Sequence, residues 1–243
     1  MIEPRLMQHP KLGAVFVRNN WDEGIADEVC IEYEPGFAMV NSLSPLLFDI
    51  GAHCGYASRF WLAKHPHGKV VSIEPWFPNF DVLSANLFQS VAHPLLGAIG
   101  GEDKWIHFKQ PDWRTGFWGE INTGGQSFRE GADIQGVMEA QPEYPEEITK
   151  EIRWVENQVR QHTLNSLIES FGVPDCVKFD CEGAEHQALL ASIKDGSFND
   201  IPLIIGEWHG MNVGHWLEQE VAPHRKTKVT WKTQNLGNFI IKK

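Results

Sequence analysis

Residues 46–75 limit what this chain can fold into more than any other stretch. An apolar run, Leu46, Leu47, Phe48 and Ile50, leads into a turn punctuated by glycine. From Tyr56 to Lys64, Phe60, Leu62 and Ala63 are spaced as on a helix, and a second apolar run, Val70 to Ile73, stops at Glu74-Pro75. Proline has no amide hydrogen to give a sheet ladder, so the strand ends there and leaves Glu74 at its carboxyl end. The pattern predicts strand, tight turn, helix and strand, which is one βαβ unit of an open α/β sheet.

Glycines in such a turn let the backbone approach a ligand, and an acid at the end of the next strand can accept hydrogen bonds from ribose hydroxyls. The dinucleotide fingerprint G-x-G-x-x-G turns a helix amino terminus toward a pyrophosphate. Here the turn reads Asp49-x-Gly51-x-x-x-Gly55. A carboxylate at that place suits a cationic ligand better, and S-adenosylmethionine carries an ammonium and a sulfonium. The bland alternative is that the glycines are architectural, as in many doubly wound proteins. A nicotinamide-dependent dehydrogenase is disfavoured by the missing fingerprint.

At 243 residues the chain is expected to form a single domain, 1–243, with an N-terminal cover over 1–45 and a substrate-side insertion over about 102–150. With 21 Lys plus Arg against 32 Asp plus Glu, the net charge of −11 argues against nucleic acid or an anionic membrane as main partner. No apolar run is long enough to span a membrane, and the first residues, with Glu3, Pro4 and Arg5, lack a signal-peptide core. A cytoplasmic location is the expectation. Cys30, Cys54, Cys176 and Cys181 form no C-x-x-C pair and read as reduced thiols. No motif sets an oligomeric state.

In the cover, Ala14–Val17 and Val29–Tyr33 read as short strands, and Phe37–Leu43 as a short helix. A helix is predicted over Pro78–Gln89 and a strand over Pro94–Ile99. The chain then reads as irregular from Glu102 to about Tyr144, carrying Trp105, Trp113, Phe117, Trp118 and Phe128, whose rings suit a stacking wall or plain packing. A strand is expected over Glu151–Val159 and a helix over His162–Phe171, capped by Thr163. The apolar strand Cys176–Phe179 ends at Asp180, followed by Glu182-Gly183 and a helix. Ile201–Ile205 brings Glu207, Trp208 and His209 to the same edge, His215–Glu220 reads as a short helix, and segments around Asn235-Leu236-Gly237 predict a closing hairpin.

Four motifs taken together resemble the FkbM family of S-adenosylmethionine-dependent methyltransferases. They are Phe48 to Gly55, Ile73-Glu74-Pro75 with Asn79, Phe80, Leu83 and Asn86, Thr163 to Leu167, and Val177-Lys178-Phe179-Asp180-Cys181-Glu182-Gly183-Ala184-Glu185. The last, D-x-E-G-x-E, is the most specific, and a weaker match is Asn122 to Ser127. The resemblance implies a Rossmann-like class I methyltransferase fold, α/β, with a mostly parallel seven-stranded sheet and a closing antiparallel hairpin. It implies S-adenosyl-L-methionine as cofactor, with Asp49, Gly51, His53 and Gly55 near its methionine part and Glu74 on its ribose. His53 stands where the family usually has asparagine, and Asn165 where aspartate is common.

The resemblance also implies O-methylation of a hydroxyl on a small-molecule or carbohydrate acceptor. A hydroxyl must lose its proton, and Asp180, Glu182 and His209, from neighbouring strand ends, are the candidate catalytic residues. A metal-free site is expected, with a divalent ion on Asp180, Glu182 and Glu207 as the alternative. From another class, a catalytically silent S-adenosylmethionine-binding or interaction domain would show the same motifs.

Overall fold

The structure, a computed structural model, describes residues 4–112 and 154–243. The predicted rings Trp113, Phe117, Trp118 and Phe128 and the Asn122–Ser127 motif lie outside the described residues. A hairpin of β1 (Arg5–His9) and β2 (Gly13–Val17) precedes helices α1 (Asn20–Glu32) and α2 (Glu34–Phe37). The main sheet follows: β3 (Leu46–Ile50), β4 (Lys69–Glu74), β5 (Ala92–Ile99), β6 (Lys104–Pro111), β7 (Trp154–His162), β8 (Cys176–Phe179), β9 (Leu203–His209), β10 (Lys226–Thr233) and β11 (Leu236–Lys242). Between strands run α3 (Tyr56–Lys64), α4 (Phe77–Asn86), α5 (Leu164–Phe171), α6 (Glu185–Asp195) and α7 (Met211–Trp216).

The strand order is β10-β11-β9-β8-β3-β4-β5-β7-β6, with β9 through β7 parallel and the strands beyond them antiparallel. The closing hairpin is present as β10 and β11, but the sheet has nine strands among the described residues, not seven. The difference lies at one edge, where β6 pairs antiparallel with β7. Residues 104–111 were expected to be irregular. Yet Ile106 and Phe108 are buried and alternate with exposed Trp105 and His107, the period of a half-buried strand.

The second correction is in the cover, where Val29–Tyr33 is not a strand but the end of α1. Asn19 caps that helix, its Oδ1 accepting from the Asp22 amide at 3.0 Å, with Asp22 and Glu23 in the first turn. Buried Asp22, Ala26, Val29, Cys30 and Tyr33 recur at helical spacing. The acidic run Trp21–Glu28 belongs to this helix. The helix predicted over Phe37–Leu43 does not form: α2 ends at Phe37, where that span begins, and Leu43 is almost fully exposed. Thr163 caps α5 as expected, in a reciprocal capping box with Ser166.

Successive strand residues face opposite sides, and this sets what can meet in the core. Phe48, Ile50, Val71, Ile73, Val177 and Phe179 pack in one layer, and Leu47, Val70, Cys176 and Leu203 pack in the other beneath α1 and α3. Asp49 shares the second face with Leu47, and β3–β8 pairing puts Lys178 directly beside it. A buried carboxylate and a buried amine therefore meet by register alone.

Among the described residues no helix is long and apolar enough to cross a membrane. All four cysteines are free, and three are buried.

Candidate active site

The order in which strands are laid down reverses at β3: β4 and β5 lie to one side, β8 and β9 to the other. In open α/β sheets a crevice forms at such a switch point, beyond the carboxyl ends of the strands. A cavity of about 260 Å³ opens there. Gly51 and His53 after β3, Glu74 after β4, Ala98 and Ile99 of β5, Asp180 and Glu182 after β8, and Glu207 of β9 all line it. Glu28, Val29, Glu32 and Tyr33, from α1 and just beyond, line the remaining side.

Of the predicted cofactor residues, Gly51, His53 and Glu74 reach this cavity, and Asp49 and Gly55 do not. Asp49 is wholly buried; Lys178 Nζ lies 3.1 Å from its Oδ1, and Ser58 Oγ donates to its Oδ2 at 2.5 Å. Lys178 also donates to the Gly51 carbonyl at 2.8 Å, so the ion pair braces the turn. Burial works against the Lys178 ammonium, but the charges of Asp49 and Asp180 prevail and raise its pKa above the ordinary value.

The glycines answer first to the chain's own packing. Gly51 has φ +73°, and a Cβ there would sit 1.7 Å from the Asp180 carbonyl oxygen. Gly55, at φ +84°, would drive a Cβ to 2.7 Å from Leu83 Cδ1. Only glycine lets β3 and β8 close so tightly at their ends.

Glu74 is held by donors on both oxygens: the amides of Trp76 and His53, each at 2.9 Å, and Asn79 Nδ2 at 3.5 Å. Burial outweighs them and pushes its carboxyl up to about 7. His53 thus contributes through its backbone, at φ +51°. Its ring faces Arg18 at 3.4 Å and Asp22 at 3.9 Å, and burial lowers its pKa to about 3, leaving it neutral.

The predicted catalytic trio does come together. Asp180, Glu182 and His209 bring one ligand-type atom each within 4.8 Å of one another. His209 Nε2 lies 3.3 Å from Glu182 and 3.7 Å from Glu207, while Nδ1 lies 2.9 Å from Glu185 Oε1. A carboxylate only accepts, so Nδ1 carries its hydrogen toward Glu185. Burial opposes the imidazolium, but the Glu185 hydrogen bond and the surrounding carboxylates raise its pKa to about 10. Burial pushes Glu182 up to about 8, against the pull of His209. Burial also raises Asp180, which accepts from the Tyr33 hydroxyl at 3.1 Å.

In the alternative divalent-ion set of Asp180, Glu182 and Glu207, the last is already bonded by Lys232, which holds it together with Glu32. Four contributors escaped the sequence reading. Glu185 and Lys178 had a signal: one is the last acid of the D-x-E-G-x-E motif, the other a lone lysine in an apolar strand. Glu32 and Tyr33 had none once their segment was read as a strand.

A sequence model of the methyltransferase FkbM domain matches residues 49–220. Among solved structures, a methyltransferase FkbM from Methylobacillus flagellatus KT superposes with TM-score 0.52 at 13% identity, over 88% of this chain and 47% of that one. The chain thus spans about half that protein's length. A precorrin-6y C5,15-methyltransferase from Geobacter metallireducens has TM-score 0.46 at 8% identity, covering 90% and 88% of the two chains. Aeropyrum pernix fibrillarin, with natively bound S-adenosyl-L-methionine, has TM-score 0.47 at 8% identity, covering 98% and 82%. A search of curated proteins finds no match. The expected cofactor, S-adenosylmethionine, agrees with the matched domain and with the class I fold. The domain match spans more than half of the 243 residues and contains Glu74, Asp180, Glu182 and His209, and the chain belongs to the FkbM methyltransferases.

Proposed function

We propose that the protein transfers a methyl group from S-adenosylmethionine to a hydroxyl oxygen of a sugar, glycan or small metabolite. The observation that carries this reading is the convergence of a ribose-type acid and a proton-accepting acid on one cavity. Glu74 and Glu182 line its two halves, on opposite sides of β3.

The residues present fit the cofactor. Asn79 is buried beside Glu74, its Oδ1 has no hydrogen-bond partner, and both line the cavity. Ribose hydroxyls would meet two acceptors there, next to the apolar Ala98 and Ile99. When bound, S-adenosylmethionine supplies an electrophilic methyl carbon on a sulfonium that departs as a neutral thioether. The chain's own part is to orient the acceptor oxygen and to take its proton. Glu182 is the base in this reading, because His209 is cationic near neutral pH and an imidazolium has no lone pair to offer. His209 and Glu185 then hold Glu182 in place, and Asp180 contacts the acceptor beside it.

The testing experiment is calorimetric titration with S-adenosylhomocysteine, repeated on Glu74→Gln. We expect binding to the wild type and a loss of about tenfold or more in the variant, about the worth of a charge-assisted hydrogen bond. Binding that ignores the substitution would remove Glu74 from the site. Binding with no turnover against any acceptor pool would leave a catalytically silent S-adenosylmethionine-binding domain.

A further inference from the structure

The Asp180 carboxylate is held by one of its two oxygens. Its amide donates to the Ile50 carbonyl at 3.0 Å, which carries the β3–β8 ladder one residue past β8 and fixes the backbone. The side chain is 28% exposed and lines the cavity. Its two partners opposite the cavity reach the same atom: the Tyr33 hydroxyl donates to Oδ2 at 3.1 Å, and Lys178 Nζ lies 3.7 Å from Oδ2. Among the described residues no hydrogen-bond donor reaches Oδ1.

The terminal torsion of an aspartate is broad and roughly two-fold, so the backbone alone does not decide how the carboxylate turns. Lys178 does not decide it either. At 3.7 Å it lies beyond hydrogen-bond distance, and it is committed to Asp49 Oδ1 at 3.1 Å and to the Gly51 carbonyl at 2.8 Å. Among the described residues, the Tyr33 hydroxyl is therefore the donor that sets the orientation of this group.

Tyr33 is itself fixed where α1 gives way to α2. Its amide donates to the Val29 carbonyl at 3.2 Å, and its carbonyl accepts from the Phe37 amide at 2.9 Å. The residue is 3% exposed, with its ring 6.0 Å from that of Phe37 and 5.5 Å from the Lys178 ammonium. Burial, and then the charge of Asp180, push the phenol well above its usual range, so it keeps its proton and goes on donating. Phenylalanine would fill the same space, so what the hydroxyl adds is its bond to Asp180.

Resting on the methyl-transfer reading above, we infer that Tyr33 is a positioning residue for that reaction, pinning Oδ2 of Asp180 so that Oδ1 is presented to the acceptor beside Glu182. The reacting hydroxyl has one proton, and it passes to Glu182. Asp180 Oδ1 therefore takes a second donor of the acceptor, such as a neighbouring hydroxyl. That grip acts before and during transfer alike, so its loss falls on KM rather than on kcat. Tyr33 precedes the matched span 49–220, so the domain match does not supply this role.

The test incubates the full chain with S-adenosylmethionine labelled in its methyl group and a metabolite extract in serial dilution as the acceptor pool. Tyr33→Phe should raise the apparent KM about tenfold, with kcat and S-adenosylhomocysteine affinity within about twofold. Asp180→Asn supplies the second readout. Asparagine has one oxygen, and the Tyr33 hydroxyl would draw it away from the acceptor. In that background Tyr33→Phe should cost nothing further, or should restore part of the rate by freeing the amide to turn.

An unchanged KM in Tyr33→Phe overturns the inference. So does a loss of kcat or of S-adenosylhomocysteine affinity in step with a fall in Tm, which a purely structural hydroxyl would give. Losses that multiply in the double variant overturn it as well, since the two residues would then act independently. No label from the wild type, with S-adenosylhomocysteine still bound, removes the methyl-transfer reading and this inference with it.

Discussion

Replacing Lys178 with methionine should cost about 3–5 kcal/mol of folding stability, the usual penalty for stripping one partner from a buried ion pair. For a chain of this size that corresponds to a fall in Tm of roughly 10 °C. Lys178 is 2% exposed and Asp49 fully buried, so the orphaned Asp49 carboxylate would keep its desolvation cost with only the Ser58 hydroxyl as donor. The Gly51 carbonyl would lose its donor as well. Urea unfolding followed by tryptophan fluorescence would measure this.

Combining Lys178→Met with Asp49→Leu should recover part of the loss, since no charge is then left buried. A single variant as stable as the wild type would mean that water reaches the pair. The same experiment separates two roles for Asp49. An Asp49 that braces the turn lowers stability and cofactor affinity together when replaced, whereas one that touches the cofactor lowers affinity alone.

The outcome at Asp49 shows where sequence reasoning reaches and where it stops. A strand, a glycine turn and an acid before proline are local patterns, and they sufficed to place β3, α3, β4 and the cavity beyond them. Whether a carboxylate in that turn points out toward a ligand or inward toward a lysine is decided by the β3–β8 register, about 130 residues apart in the chain. No local pattern carries that information. Likewise Glu74, ending its strand, was legible because its position alone aims it at the crevice. His53 was legible as a position but not as a group, since its amide does the binding while its ring is drawn to Asp22 and Arg18.

Helix α1 was misread for a related reason. Val29, Cys30, Ile31 and Tyr33 have strand-like propensities, and tertiary burial at helical spacing overrode them. With that helix hidden, one side of the cavity was hidden as well. On the far edge, β6 was masked by the glycine-rich sequence that follows it.

Glu182→Gln should lower kcat/KM about 10²- to 10⁴-fold, the usual worth of a positioned general base, with S-adenosylhomocysteine affinity within a few-fold. The pH dependence makes the assignment specific. Transfer needs Glu182 ionised, and burial holds its pKa at about 8, so wild-type kcat/KM should rise about tenfold per pH unit below 8 and then level. It should fall again near 10, where His209 loses the proton that it shares with Glu182 and Glu185. In Glu182→Gln the rising limb should vanish, because glutamine does not titrate. A rising limb that survives at full rate would transfer the role to Asp180, the raised carboxyl nearest to Glu182 and His209. Asp180→Asn would then be the variant that flattens the profile. Since Glu185 is fully buried and bonds His209 Nδ1, Glu185→Gln should move the alkaline limb downward while keeping an acid limb, itself shifted slightly down because the Glu185 charge helps to raise Glu182. That split between limbs is what distinguishes a residue that holds the imidazolium from one that takes the proton.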